Sequence, residues 1–165
     1  MNYKDFNIDL EYSLEEQDNE IFDNFYHRVF PKLQNIVFVK SKELQLKGYD
    51  KILTFENGKE IFIDEKKRRN DWKDILLEIW SNYEAKKKGW FITSEADYIV
   101  YAFMQSKKVY LLPLLIMRVW AKKHWNYFCM FSTISSKNKY YTTISKAIPT
   151  EILLEGIKQE LMQTL

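Results

Sequence analysis

The dipeptide Asn57-Gly58 constrains this chain more than any other pair of its residues. It separates two runs rich in β-branched and aromatic side chains, Asp50 to Phe55 and Glu60 to Lys67, with Glu56 and Lys59 completing the turn. Asn-Gly in such a setting is a strong hairpin signal, because both residues tolerate the left-handed backbone that tight turns require. The turn type then decides which side chains meet. A strict two-residue turn places Asp50 opposite Glu65, with Lys67 as the lysine on the same face. A type I turn followed by Gly58 in the left-handed region, a G1 bulge, shifts the register by one residue. Asp50 then faces Asp64, and Lys66 is the matching lysine.

The remaining elements build around this hairpin. Ser13 and Glu16 form a capping-box pattern, and Ile21, Phe22, Phe25, Val29 and Phe30 continue one stripe, so a helix is expected over about 14–30, ended by Pro31. Ile36 to Val39 reads as a strand, and Ile75 to Ser81 fits both periods and is assigned as a strand. Tyr98 to Phe103 and Val109 to Leu112 form a second hairpin about Gln105-Ser106-Lys107-Lys108. Pro113 opens a helix to about Trp125, Tyr140 to Ile148 is one more strand, and Thr150 is the expected N-cap of a terminal helix ending near Met162.

A chain of 165 residues with 46% hydrophobic and 16% aromatic content fits one α/β domain with a real core. Cys129 is the single cysteine, so no internal disulfide or thiolate zinc cluster can form. The longest apolar run, Val109 to Met117, is far shorter than the ~20 residues of a membrane span. The expectation is a cytoplasmic protein without a membrane segment. The net charge of +2 conceals basic clusters at Lys66 to Arg69, Lys86 to Lys88, Lys107–Lys108 and Lys122–Lys123. Such clusters suit a polyanion.

The open end of the first hairpin gathers chemistry. Two carboxylates meeting across a strand pair make a hard-oxygen site for Mg²⁺, with Mn²⁺ as a substitute, and a lysine two residues past the second acid projects to the same face. That set suits phosphodiester hydrolysis.

An aspartate, a hairpin, then Ile61-Phe62-Ile63-Asp64-Glu65-Lys66 resembles the PD-(D/E)XK nuclease superfamily, the restriction-endonuclease-like fold. Gln45-Leu46-Lys47-Gly48-Tyr49-Asp50, Asp74-Ile75-Leu76-Leu77-Glu78, Gly89-Trp90 and Asp97-Tyr98-Ile99-Val100-Tyr101 extend the likeness to small phage and prophage-encoded members. Tyr49 stands where the motif often has proline, and Asp64 where glutamate is commoner. The resemblance implies a mixed central β-sheet with helices on both faces. It also implies a metal held by Asp50, Asp64 and the backbone carbonyl of Glu65, with Lys66 beside it. The apolar run stops at Ile63, as the motif does, which favours the bulged register.

The function expected is a Mg²⁺-dependent DNA endonuclease, with a non-catalytic nucleic-acid-binding or protein-interaction module on the same fold as the alternative. Glu78 is a further catalytic candidate: on a strand beside the hairpin it is an extra carboxylate or a hydrogen-bond partner of the water, and on a helix it is equally an exposed acid. Lys67, Arg68, Arg69 and Gln45 are candidates for phosphate contact. Members of this size often dimerise, so a homodimer is a further expectation. His27 and His124 are too isolated for a zinc site, Cys129 lies among aromatics as a buried inert thiol, and the isolated glycines exclude a phosphate-binding P-loop. Trp72, Trp80, Trp90, Trp120 and Trp125 are read mainly as core.

Overall fold

A computed structural model of the chain describes residues 20–163, an α/β arrangement of two sheets and six helices. The strands are β1 (Leu33–Phe38), β2 (Lys51–Phe55), β3 (Glu60–Arg68), β4 (Asp74–Asn82), β5 (Lys87–Lys88), β6 (Tyr98–Phe103), β7 (Lys108–Pro113), β8 (Thr133–Lys137) and β9 (Thr142–Pro149). The helices are α1 (Glu20–Val29), α2 (Lys42–Leu46), α3 (Trp90–Thr93), α4 (Leu114–Lys123), α5 (Trp125–Met130) and α6 (Thr150–Gln163). The capping-box pair Ser13 and Glu16 lies outside the described residues.

The larger sheet has the order β1-β2-β3-β6-β7 and is mixed: β3 and β6 run parallel, and the other neighbours are antiparallel. One of its faces is closed by α1, whose Phe22, Phe25 and Tyr26 recur at helical spacing and pack with Leu53, Ile61, Ile63, Val100 and Ala102. The opposite face looks onto a second core. There Ile99, Tyr101 and Phe103 of β6 meet Ile75 and Leu77 of β4, Ile148 of β9, and the inner sides of α4 and α6. Successive residues of β6 therefore serve different cores, as the period-two alternation of a strand dictates.

The single central sheet flanked by helices is replaced by two sheets. Both edges of β3 are already paired, to β2 and to β6, so β4 joins β9 and β5 in a four-stranded antiparallel sheet of order β5-β4-β9-β8. The sequence reading missed β8, which is polar and largely exposed, and the short elements α2, β5 and α3. The helix after Pro113 is broken at His124, where the backbone leaves the helical region, and α5 follows as a separate turn. Only Phe128 of α5 is buried, so Cys129 on the next position around the helix is exposed rather than enclosed. Among the tryptophans only Trp120 is buried; Trp72 and Trp125 are exposed. Thr150 is the first helical residue of α6 and its buried hydroxyl makes no capping hydrogen bond. No helix among the described residues is long and apolar enough to cross a membrane.

Candidate active site

The turn between β2 and β3 settles the register. Gly58 has φ +77° and Asn57 is not in the left-handed region. Gly58 N–H donates to Phe55 O at 2.8 Å and Phe55 N–H to Lys59 O at 2.9 Å, the hydrogen bonds of a type I turn with a G1 bulge. Lys51 pairs with Ile63 and Leu53 with Ile61, so Asp50, one residue before β2, lies across from Asp64. The bulged alternative is the one adopted.

Asp64 is 1% exposed, and its Oδ1 is ion-paired to Lys66 Nζ on the same face. Its Oδ2 is buried and has no hydrogen-bond partner. Asp50 is held from the main chain, since Glu65 N–H donates to its Oδ2 at 2.7 Å. The loop before it passes through Gly48, whose φ of +84° disfavours a side chain. A Cβ there would also collide with the Ser94 hydroxyl and lie 3.1 Å from Asp64 Oδ2. A backbone turn with no side chain thus leaves the space beside Asp64 open.

Glu78 reaches the same cluster from the second sheet, not from a strand paired to the hairpin. Its Oε1 accepts from Trp90 N–H at 3.2 Å, and it is near enough to Lys66 and Asp64 for their charges to act on it. Trp90 also places its ring centroid 5.7 Å from Lys66 Nζ. The segment carrying Trp90 and Ser94 is clamped by Arg118 of α4, whose Nε donates to Phe91 O and Nη2 to Ser94 O, both at 2.7 Å. Sequence reasoning missed the roles of Gly48, Trp90, Ser94 and Arg118. Gly48 within 45–50 and the Gly89-Trp90 pair were the hints, and neither carries chemistry by itself.

The electrostatics follow from crowding. Burial pushes the Asp50 carboxyl up to about 6, the nearby Asp64 charge adds to the rise, and Lys66 opposes it. Burial also raises Glu78, against the Trp90 N–H and Lys66. For Lys66 burial works to depress the ammonium, but Asp64 and Asp50 outweigh it and the group is raised. Lys66 is therefore charged at neutral pH.

Other expected residues lie elsewhere. The Glu65 carboxylate points to the α1 face, where it accepts from Tyr26 Oη–H at 2.7 Å and sits 3.4 Å from Lys51 Nζ; only its main chain meets Asp50. Lys67 is on that face too, with Nζ 5.5 Å from the Phe22 ring centroid. Arg68 is ion-paired to Asp74 at the start of β4, bridging the two sheets. Arg69 is exposed just past β3. Gln45 lies on α2 rather than in a loop, and its amide N–H donates to Val39 O at 2.9 Å.

Among the described residues no three His, Cys, Asp or Glu side chains form a metal-holding group. A cation at this site would have two carboxylates, Asp50 and Asp64, with main-chain and water oxygens completing its shell. Magnesium commonly binds proteins with that sparse set. The unpartnered Asp64 Oδ2 is the atom that fits such an ion, because a buried carboxylate oxygen without a donor is costly unless a cation answers it. Comparison with known protein families, curated proteins and solved structures returns no match for this chain.

Proposed function

We propose that this chain is a Mg²⁺-dependent nuclease that hydrolyses phosphodiester bonds in DNA, on a restriction-endonuclease-like fold. The observation that carries the reading is the meeting of Asp50, Asp64 and Lys66 on one face of the hairpin, with Asp64 Oδ2 buried and unpartnered. A mixed sheet whose hairpin carries both acids is in keeping with the resemblance drawn from the motif. A divalent cation held by Asp50 and Asp64 would polarise a phosphoryl oxygen and lower the pKa of a bound water.

The chain's own residues supply the rest. Asp50 is oriented by the Glu65 N–H and needs no side-chain partner to hold its position. Lys66 brings a charged ammonium to the face where the scissile phosphate would lie, and there it stabilises the negative charge that builds on the attacked phosphorus oxygens. Asp64 and Asp50 hold that ammonium charged, and the Glu78 charge adds to theirs. Arg69 is the exposed cation of the β3 end available to an incoming backbone.

The test is to incubate the protein with labelled duplex DNA, single-stranded DNA and RNA in Mg²⁺, Mn²⁺ or EDTA. Divalent-dependent cleavage of DNA, absent in EDTA and in Asp64→Asn, is expected. No cleavage of any substrate with either metal overturns the reading, and salt-sensitive DNA binding without cleavage transfers it to a non-catalytic binding module.

A further inference from the structure

The strands β4 and β5 run from the Glu78 end of the site out to a basic tip, and β9 and β8 bring a second basic tip beside it. Lys86, Lys87 and Lys88 close the first hairpin, and Lys137 and Lys139 close the second. All five are exposed, although 48 residues of sequence lie between Lys88 and Lys137. The topology, not the local sequence, gathers them.

The two tips are tied together. Glu84, the acid of the first tip, accepts from Thr142 N–H at 2.8 Å and from its hydroxyl at 2.7 Å, and Tyr83 N–H donates to Thr142 O at 2.9 Å. Both Glu84 oxygens are engaged by the neighbouring hairpin, and the five lysines outnumber this one carboxylate at the two tips. Aromatic faces accompany them. Tyr83 is 56% and Tyr140 79% exposed, and Lys88 Nζ lies 3.5 Å from the Trp80 ring centroid. Lysines interleaved with exposed rings make a surface that grips a phosphate backbone and stacks on bases.

We propose that this end of the smaller sheet is a nucleic-acid grip, holding the sugar-phosphate backbone of the same molecule that enters the carboxylate site. The continuity between the two supplies the argument for a nucleic acid over other anionic partners. Lys88 pairs with Trp80, and the main chain that follows it donates from Gly89 N–H to Ile79 O at 2.8 Å and from Trp90 N–H to Glu78 Oε1 at 3.2 Å, so the basic surface begins at the edge of the site itself. From Glu78 to the turn at Asn82 the strand rises about 13 Å, at ~3.3 Å per residue. That length spans roughly four base-pair steps of ~3.4 Å. The inference deepens the nuclease reading, on which its account of the substrate rests, yet the grip itself is measured by binding alone.

The experiment uses the full chain with EDTA and a labelled duplex DNA of about 30 base pairs, read over a series of KCl concentrations. The variant is Lys86→Gln/Lys137→Gln/Lys139→Gln, with its thermal melt as the fold control. These substitutions keep the Glu84–Thr142 link and the core. Each lysine that neutralises a phosphate adds about 0.9 to the slope of log affinity against log salt, so a fall of about 2–3 in that slope and at least tenfold weaker binding at low salt are expected. Tyr140→Ser alone should weaken single-stranded DNA more than duplex, by about 1–3 kcal/mol on the stacking scale of ~5- to 150-fold. An unchanged slope and affinity in the folded triple variant overturns the proposal, as does wild-type protein that ignores DNA and binds vesicles of phosphatidylserine instead. Cleavage by wild type when Mg²⁺ replaces EDTA, with unaltered binding in the triple variant, removes the grip and keeps the nuclease. Salt-dependent binding that disappears in the triple variant, without cleavage by wild type, keeps the grip and removes the nuclease.

Discussion

Asp50 and Glu65 are joined through the main chain alone: the Glu65 N–H donates to Asp50 Oδ2 at 2.7 Å, while the Glu65 carboxylate faces the other side of the sheet and holds Tyr26. One residue of β3 thereby orients a site carboxylate without adding its own charge to the site. The neighbouring positions, Asp64 and Lys66, send their side chains to the Asp50 face, and the division follows from the one-residue bulge at Gly58.

The first prediction concerns metal affinity. Asp50→Asn and Asp64→Asn each remove one charged ligand with little change in volume, so Mn²⁺ binding by calorimetry should weaken by at least tenfold in each while the circular dichroism spectrum is retained. Equal Mn²⁺ affinity in wild type and both variants would show that the carboxylates hold no metal.

The second separates two adjacent lysines. Lys66→Ala should lower the rate of DNA hydrolysis by about 10² or more, as expected for loss of a charge-stabilising group, with Mn²⁺ affinity kept. Lys67→Ala, on the α1 face, should leave the rate constant within a few fold and act at most on substrate binding. Single-turnover kinetics distinguish them, and a dead Lys67→Ala beside an active Lys66→Ala would reverse the assignment.

The third is a pH dependence. Burial raises the Asp50 carboxyl to about 6, so between the unfolded value of ~3.9 and that figure the folded state holds a proton that the unfolded chain has released. Its contribution therefore falls as pH rises from about 4 to about 6, by about 3 kcal/mol in all, and is level above that. Asp50→Asn carries no such charge. In urea unfolding with EDTA, the variant should gain on wild type across this window, and a difference that stays flat from pH 4 to 7 would remove Asp50 as its source.

The fourth divides the arginine pair at the end of β3. Arg68→Ala breaks a half-buried ion pair between the two sheets and should cost about 1–3 kcal/mol of stability. Arg69→Ala should leave stability within about 0.5 kcal/mol and flatten the salt slope of DNA binding by about 0.9, the share of one neutralised phosphate. Denaturant midpoints and a salt titration of both variants check the division.

The hairpin and its register were legible because turn chemistry is local: Glu56 to Lys59 fold into the same turn whatever surrounds them. The strand over 75–81 is legible from the alternation of Ile75, Leu77 and Ile79, although helical spacing fits it as well, and the hairpin of 98–103 and 109–112 from β-branched and aromatic content about a polar turn; the buried Ile75 and Leu77 carry the alternation. What sequence could not give was pairing. Nothing in Asp74 to Asn82 states that β9, some seventy residues later, will be its neighbour, and the second sheet depends on that choice. Glu78 was found as a residue but misplaced as an element for this reason. Arg118 and Ser94 were invisible because their roles are hydrogen bonds to or from the main chain, and almost any sequence offers a carbonyl. Gln45 and Arg68 have the right chemistry for phosphate, but nearby partners inside the fold engage them.

The alternation along β6 has a consequence for how the molecule comes apart. Val100 and Ala102 anchor the layer under α1, while Ile99, Tyr101 and Phe103 anchor the layer shared with the second sheet. Neither layer can loosen without withdrawing support from a strand the other needs. Opening at the hairpin side and opening at the Glu78 side are thus one event, and the amides of β6 should be the last to exchange with deuterium, at the free energy of global unfolding. A strand whose two faces are both interior acts as the shared spine through which the Asp50–Asp64 half and the Glu78 half are kept at a fixed separation.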